Sequence, residues 1–256
     1  MKSSEAQFRK TKKRFGQNWL IDQKAIQQFI QFCDINPTEN VLEIGIGNMA
    51  LTLPLVKFAN KVVSIEIDKE LVNSAKLKIN SKLSVINADF LQIDLAKIIK
   101  KEKITTIISA IPYNITSPII HKIIEESTTP LSKVCLITQK EFTQKLVGKT
   151  NKRSYFTNLV ERYAKITPGI TILNTSFYPV PKVDSMYFKF IFDTFPKNIY
   201  QVKQWEKFLH HAFRMPRKKL NKAFNKDTLI KLAIDENLRP ANLSLNQLKK
   251  LSNRAM

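Results

Sequence analysis

The feature that most constrains the fold is a regular alternation of strand-like and helix-like segments. Short runs rich in β-branched residues predict buried strands, and the runs between them carry apolar residues at the spacing of one helix face. The predicted strands are 41–44, 61–65, 83–86, 104–108 and 133–137, with helices at 24–33, 51–58, 70–79, 95–100 and 116–124. Right-handed crossovers join such strands into a mostly parallel sheet, so we predict a doubly wound, Rossmann-like α/β domain.

Two of the chain's five glycines, Gly45 and Gly47, directly follow the first predicted strand. Glycine lets a backbone approach a ligand closely, because it has no β-carbon. Glu66 lies 21 residues after Gly45 and ends the second strand, and Asp89 follows the third. A carboxylate about 20 residues beyond a glycine loop is suited to binding ribose hydroxyls. The pattern predicts a nucleoside cofactor; a plain tight turn is the alternative.

The identity of the nucleoside is less constrained. Residues 45–50 also satisfy the dinucleotide pattern, with Ala50 in its last position. S-adenosyl-L-methionine has no phosphates and needs no long anion-binding loop, and Glu66 and Asp89 suit its ribose and its adenine amino group. We favour this cofactor over a nicotinamide dinucleotide.

A proline and an aromatic residue, Pro112 and Tyr113, follow the fourth predicted strand. Such a turn presents a π-face at the carboxyl edge of the sheet, where open α/β sheets bind ligands. A packed strand-to-helix turn is the alternative interpretation.

The charge balance favours a polyanionic partner. The chain has 42 Lys and Arg against 21 Asp and Glu, which indicates RNA, DNA or an anionic membrane surface. Residues 1–14 include six Lys or Arg and predict a basic arm, and residues 201–256 contain 13 Lys and Arg against 4 Asp and Glu. The residues predicted to contact phosphates are Arg14, Arg214, Arg217, Lys218, Lys219 and Lys222. A solvated helix face is the alternative for the last five.

The remaining features exclude several classes. The start has no apolar segment typical of a secretory signal, and no run approaches the ~18 apolar residues of a membrane helix. Cys33 and Cys135 lie in apolar contexts and predict reduced core thiols. The three histidines show no metal spacing with these cysteines, so we expect no bound metal. Because the chain lacks such apolar segments, we expect a cytoplasmic protein that does not associate with a membrane. We also expect a monomer.

The second half predicts strands at 170–173 and 186–191 and then helices at 205–213, 220–224, 228–236 and 245–251. We therefore divide the chain into a basic arm (1–14), an S-adenosylmethionine-dependent domain (15–195) and a helical domain (196–256) whose basic residues suit a polyanion such as RNA.

From about residue 12 to 253 the sequence resembles the ribosomal RNA adenine dimethyltransferases, which modify two neighbouring adenosines of small-subunit RNA. The similar segments are 14–20, 43–52, 64–68, 87–90, 138–141 and 177–185. Erythromycin-resistance methyltransferases share the front half, whereas 238–244 resembles the small-subunit branch. The resemblance implies a class I methyltransferase sheet and a small C-terminal all-α domain. The cofactor-binding residues it implies are Asn18, Leu20, Gly45, Gly47, Glu66, Ile67, Asp89, Phe90 and Ala110.

The resemblance also implies how the base is held. In the family, an amide side chain and the proline carbonyl accept hydrogens from the target N6 amine; here the matching residues are Ala110 and Pro112, with Tyr113 and Phe177 stacking on the base. Two positions depart from the family: Ala110 replaces the amide, and Met49 replaces a third glycine and is expected to narrow the cofactor pocket. The sequence leaves three functions open. These are a dimethyltransferase acting on immature small ribosomal subunits, an RNA-binding assembly factor with impaired catalysis, and a nicotinamide oxidoreductase.

Overall fold

The computed structural model describes residues 12, 15–77, 80–148, 153–196 and 198–255. The strands among these residues are β1 (Trp19–Leu20), β2 (Asn40–Ile44), β3 (Lys61–Glu66), β4 (Leu83–Asn87), β5 (Thr106–Ala110), β6 (Lys133–Gln139), β7 (Ala164–Ile172), β8 (Phe177–Tyr178) and β9 (Ser185–Phe192). The α-helices are α1 (Gln23–Cys33), α2 (Thr52–Phe58), α3 (Lys69–Lys76), α4 (Leu95–Glu102), α5 (Thr116–Glu126), α6 (Lys140–Leu146), α7 (Tyr155–Glu161), α8 (Ile199–Phe213), α9 (Lys226–Lys231) and α10 (Leu245–Ala255).

Seven strands form one sheet in the order β4, β3, β2, β5, β6, β9, β7. The first five run parallel to one another, whereas β9 lies antiparallel to both of its neighbours. The predicted α/β fold with a mostly parallel sheet is confirmed. The parallel strands all end at one edge, and every site residue that the sequence places after a strand is brought to that edge.

Both faces of the sheet are buried, which explains why its strands are almost continuously apolar. Successive side chains alternate between the faces: Leu42 of β2 belongs to one buried cluster and Val41 to the other. Helices α1, α2 and α3 contribute to the cluster of Val41. The later helices contribute to the cluster of Leu42.

Helix α8 packs into the same hydrophobic cluster as the sheet. Trp205 and Phe208 are almost fully buried there, and Trp205 Nε1 donates to the carbonyl of Asn158 at 3.2 Å. The Arg162 guanidinium lies 4.5 Å from the indole centre. The predicted boundary between residues 195 and 196 falls in the connection from β9 to α8.

Several predicted elements have different bounds. Strand β7 is longer than the predicted 170–173 and has an irregular register between Pro168 and Thr171. The helix predicted at 220–224 is a 3-10 turn, Leu220–Lys222. The helix predicted at 228–236 is α9, which ends earlier because Ala233 adopts a left-handed φ of 53°. The sequence pattern does not predict the seven-residue helices α6 and α7.

Two further observations concern the described residues. In the ranges given above, no helix is long and apolar enough to cross a membrane. Cys33 and Cys135 are buried free thiols, and burial raises the pKa of Cys33.

Candidate active site

A cleft with an empty volume of about 1090 Å³, open solvent included, lies at the carboxyl edge of the parallel strands. The predicted cofactor and base residues that line it are Asn18, Gly45, Gly47, Glu66, Ile67, Asp89, Phe90, Ala110, Pro112, Tyr113 and Phe177. They come from chain segments as distant as residues 18 and 177, and the topology brings them together. Leu20 is buried beside the cleft rather than in its lining.

The glycine loop after β2 depends on left-handed backbone. Gly45 and Gly47 adopt φ values of 81° and 51°, which favour glycine. Met49 also adopts a left-handed φ, 67°, which explains why a glycine suits that position in the resembling family. Its side chain is buried in the cluster of Val41 and does not line the cleft. The expectation that Met49 narrows the pocket is therefore wrong.

Glu43 of β2 lies just before the glycine loop in the chain and contacts Thr52, the first residue of α2. The Thr52 hydroxyl lies within hydrogen-bond distance of both carboxyl oxygens, at 3.0 and 2.8 Å, which ties the end of β2 to the start of α2. Only 2% of Glu43 is exposed. Burial raises the pKa of Glu43 to about 8, so the buried side chain is mostly neutral at pH 7.

Glu66 ends β3 and faces the loop. Its carboxylate accepts hydrogen bonds from the amides of Asp68 at 2.7 Å and Gly47 at 3.3 Å. Burial raises the pKa of Glu66, and these hydrogen bonds partly offset that rise. Asp89 lies beyond the neighbouring strand, where its side chain accepts from the amide of Leu91 at 2.9 Å. The cleft therefore presents two carboxyl groups from neighbouring strands.

Residues 15–20, here called the N-terminal segment, lie along the cleft. Strand β1 of this segment pairs with β8, so that Leu20 lies opposite Phe177. Lys12 holds the start of the segment: its Nζ lies 2.8 Å from Asp68 Oδ1 and 3.0 Å from Glu70 Oε1, and its amide donates to Gln17. These contacts join the N-terminal segment to the start of α3.

The turn after β5 is held by its neighbours. The Tyr113 hydroxyl is hydrogen bonded to Ser185 at 2.6 Å. The Pro112 carbonyl accepts from the Ile115 amide at 3.3 Å and the Thr116 hydroxyl at 3.4 Å, which engages both of its lone pairs. The Ile111 carbonyl accepts no hydrogen bond within the described ranges, and Ile111 lines the cleft.

Two polar residues near Ala110 in the chain, Ser109 and Asn114, are candidates to supply the acceptor that Ala110 lacks. Ser109 is fully buried, and its hydroxyl donates to the Ile44 carbonyl. Asn114 is exposed and lines the cleft; a β-carbon added at Gly16 would lie 2.7 Å from its Oδ1. Ser109 is therefore unavailable to a substrate.

The predicted phosphate contacts of the second half surround the end of α8 and the turn that follows it. All of them are exposed: Arg214, Arg217, Lys218, Lys219 and Lys222. The Lys219 ammonium donates to Asn237 at 2.8 Å. Arg14, and all of the predicted basic arm except Lys12, lie outside the described residues.

Sequence reasoning missed two residues of the cleft, namely Trp19 and Ile111. Each is adjacent to a residue that the motifs singled out, so adjacency was the available signal. Among the residues described, no group of three or more His, Cys, Asp or Glu is placed to hold a metal ion.

Comparisons with known proteins agree with this geometry. A family model described as "Ribosomal RNA adenine dimethylase" matches residues 8–255. The chain is 36% identical to the ribosomal RNA small subunit methyltransferase A of Mycoplasma mycoides, over 95% of this chain and 97% of that protein. It is 34% identical to the protein of the same name from Fusobacterium nucleatum, over 94% and 96%.

Solved structures agree as well. A dimethyladenosine transferase from Plasmodium falciparum superposes with a TM-score of 0.74 at 26% identity, covering 91% of this chain and 95% of that one. The 23S rRNA methyltransferase ErmE superposes with a TM-score of 0.70 at 25% identity, covering 92% and 98%.

Proposed function

Because the chain belongs to the ribosomal RNA adenine dimethylase family, we propose that it transfers methyl groups from S-adenosylmethionine to N6 of adenosines in small-subunit ribosomal RNA. The observation that carries this proposal is one cleft that joins a glycine loop, two carboxyl groups and a proline-aromatic turn. The curated relatives are named for the small subunit, which supports that substrate over 23S RNA.

The residues of the cleft fit the cofactor. Gly45 and Gly47 keep the loop free of β-carbons, the Glu66 carboxylate suits the ribose hydroxyls, and Asp89 suits the adenine amine. Asn18, Ile67 and Phe90 complete the proposed cofactor contacts. When bound, the cofactor supplies a methyl group on a positively charged sulfur.

The turn after β5 is proposed to position the target base. Tyr113 and Phe177 offer aromatic faces for stacking on an unstacked adenine, and the hydrogen bond to Ser185 fixes the Tyr113 ring. Since the Pro112 carbonyl is engaged, we assign the backbone acceptor for the N6 amine to the Ile111 carbonyl. Acceptance of an N6 hydrogen turns the nitrogen lone pair towards the methyl group, so catalysis is by orientation and electrostatics.

The RNA is proposed to lie against the exposed basic residues after α8, with Arg14 contributing from the arm. Their charges match a phosphate backbone, and an immature small subunit is the proposed partner. We propose that the protein acts as a monomer in the cytoplasm. The family match and the named relatives favour this enzyme over an assembly factor without activity, and over a nicotinamide oxidoreductase.

The test is transfer of labelled methyl groups to immature small subunits, followed by nucleoside analysis for N6-methylated adenosine. We expect label in wild type and its loss in Tyr113→Ala, which removes the stacking face. Tight binding of S-adenosylmethionine without transfer would favour the assembly factor. Binding of NADH instead would overturn the choice of cofactor.

A further inference from the structure

Residues 138–141 resemble a motif of the family but have no part in the proposed function. They end β6 and begin α6, at the carboxyl edge of the parallel strands. Ile137, the residue before them, lines the cleft and pairs with Ala110 of β5. Lys140 is the only basic residue among the four, so it is the one that suits an anion.

Lys140 lies beside the residues that hold Tyr113, the proposed stacking residue. Gln139 pairs with Ser185 between β6 and β9, and Ser185 is hydrogen bonded to the Tyr113 hydroxyl at 2.6 Å. Lys140 follows Gln139 in the chain, and Asp184 precedes Ser185. The Lys140 amide donates to the Asp184 carbonyl at 3.0 Å, which places the base of the Lys140 side chain next to the anchor of Tyr113.

The ammonium group of Lys140 is weakly held and open to solvent. Its Nζ lies 3.5 Å from Asp184 Oδ2, and the two side chains are 37% and 31% exposed. In the described ranges Nζ has no other hydrogen-bond or ion-pair partner. Such an exposed pair contributes little stability, so the ammonium can leave it at small cost.

Release of the ammonium leaves the surrounding structure intact. Asp184 Oδ1 accepts a hydrogen bond from the Asn174 amide at 3.1 Å, so the carboxylate keeps a partner. The backbone hydrogen bond between Lys140 and Asp184 does not involve either side chain. The start of α6 therefore stays attached to the segment that carries Ser185 while the lysine side chain turns towards a ligand.

The proposed substrate brings an anion to this place. An adenosine extruded onto Tyr113 stays joined through its ribose to the RNA backbone, so its flanking phosphates lie at the rim of the cleft. The carboxyl groups of Glu66 and Asp89 do not suit a phosphate, whereas a lysine is a point charge on a long flexible stem and binds phosphates well.

Resting on the proposed function, we propose that Lys140 Nζ exchanges Asp184 for a backbone phosphate that flanks the target adenosine. Lys140 is thus a substrate-binding residue that fixes the backbone of the extruded nucleotide while Tyr113 holds its base. Phosphate contacts set position rather than sequence, and this one is made at the methylated nucleotide itself. The basic residues after α8 are proposed to bind RNA elsewhere.

The first test is filter binding of immature small subunits as a function of salt. Lys140→Gln should lower the affinity and reduce the slope of log affinity against log salt by about 0.7, the value for one phosphate contact to single-stranded RNA. Lys140→Arg keeps the charge and should keep the wild-type slope. An unchanged slope in Lys140→Gln would overturn the inference.

Lys165→Gln is the matched control, since it removes one exposed lysine of the same sheet. Lys165 of β7 pairs with Ile191, which pairs with Lys133 at the start of β6, so it lies about 20 Å along the sheet from the end of β6. Its slope should equal that of wild type. A slope reduced as much as in Lys140→Gln would show a general charge effect and contradict the proposed contact.

Asp184→Asn separates a phosphate contact from an ion pair that is only structural. Asparagine keeps an acceptor for the Asn174 amide and removes the charge that competes for Lys140. Affinity for small subunits should therefore rise by about two- to fivefold, the value of an exposed ion pair. Equal losses of affinity in Asp184→Asn and Lys140→Gln would mean that the pair merely joins α6 to its neighbour, and would overturn the inference.

Ethylation interference locates the phosphate. The phosphates of the small-subunit RNA are sparsely ethylated, and the subunits that bind the protein are separated from those that do not. For wild type and Lys165→Gln, ethylation beside the target adenosines should be depleted from the bound fraction. For Lys140→Gln, depletion at one of these phosphates should disappear and depletion elsewhere should remain; an unchanged pattern would contradict the contact.

Two further results separate this inference from the proposed function. Lys140→Gln should bind S-adenosylhomocysteine as wild type does, because Lys140 does not line the cofactor cleft. A loss of that affinity would show that Lys140 acts on the shape of the cleft and would overturn the inference. If wild type neither binds nor methylates small subunits, the proposed function itself fails.

Discussion

At the scale of single residues, we predict that Ala110 slows the proposed reaction, because its side chain cannot accept a hydrogen bond. Ala110→Asn should raise the rate of methyl transfer by about 10²- to 10³-fold, the usual value of one aligned polar group in an active site. Single-turnover transfer from labelled cofactor measures this rate. Ala110→Leu adds similar volume without an acceptor and should give no gain. If Ala110→Asn leaves the rate of methyl transfer unchanged, the Ile111 carbonyl alone is enough to orient the N6 amine.

Glu43 should make stability depend on pH. The pKa of Glu43 is about 8 in the folded protein, against an ordinary value of 4.5. Folding is therefore accompanied by uptake of a proton between pH 4.5 and pH 8. The stabilisation is fully present below pH 4.5 and is lost as pH rises towards 8. Glu43→Gln keeps an acceptor for Thr52 and does not ionise. Urea unfolding at pH 5.5 and at pH 8 measures the effect. The free energy of unfolding should fall less between these two pH values for Glu43→Gln than for wild type.

The exposed Glu141→Gln is the control for Glu43 and should keep the wild-type difference between the two pH values. Equal losses of unfolding free energy in wild type and Glu43→Gln would show that Glu43 is not the source of the pH dependence.

At the scale of elements, the contact between Lys12 and the start of α3 holds the N-terminal segment along the cleft. Lys12→Gln removes the ion pairs with Asp68 and Glu70, and affinity for S-adenosylmethionine should fall by about two- to fivefold, as for other partly exposed pairs. Wild-type affinity should also fall with salt. Lys24→Gln, an exposed change of equal charge on α1, should bind as wild type; the same loss there would exclude a specific role for Lys12.

At the scale of the whole molecule, the basic residues after α8 should set the salt dependence of RNA binding. Changing Arg217, Lys218 and Lys222 to glutamine should reduce the slope of log affinity against log salt by about 2, as expected for three phosphate contacts to single-stranded RNA. Filter binding between 50 and 200 mM salt, roughly the range over which such contacts are lost, measures the slope. A triple glutamine variant at 57, 97 and 100, all exposed lysines, should leave it unchanged.

The α/β class and the strand ends where ligands bind follow from the sequence alone. Strand and helix periods are local, and parallel topology then brings the residues after each strand to one edge. The sequence pattern alone places Gly45, Glu66 and Asp89 at this edge. It does not predict the short helices α6 and α7 or the end of α9, because packing and one left-handed residue set them rather than a repeating pattern.

Which of the nearby groups are available to a ligand depends on the tertiary fold. Pairing of β1 with β8 and the contact of Lys12 with Asp68 join residues far apart in the chain, and such contacts leave no periodic trace in a sequence. The same holds for hydrogen bonds that make an atom unavailable to a ligand. The Ser109 hydroxyl donates to the Ile44 carbonyl, and the Pro112 carbonyl accepts from the Ile115 amide and the Thr116 hydroxyl. A sequence motif identifies which residues lie at a site. Which of their donors and acceptors remain unpaired depends on the neighbouring residues in the folded chain.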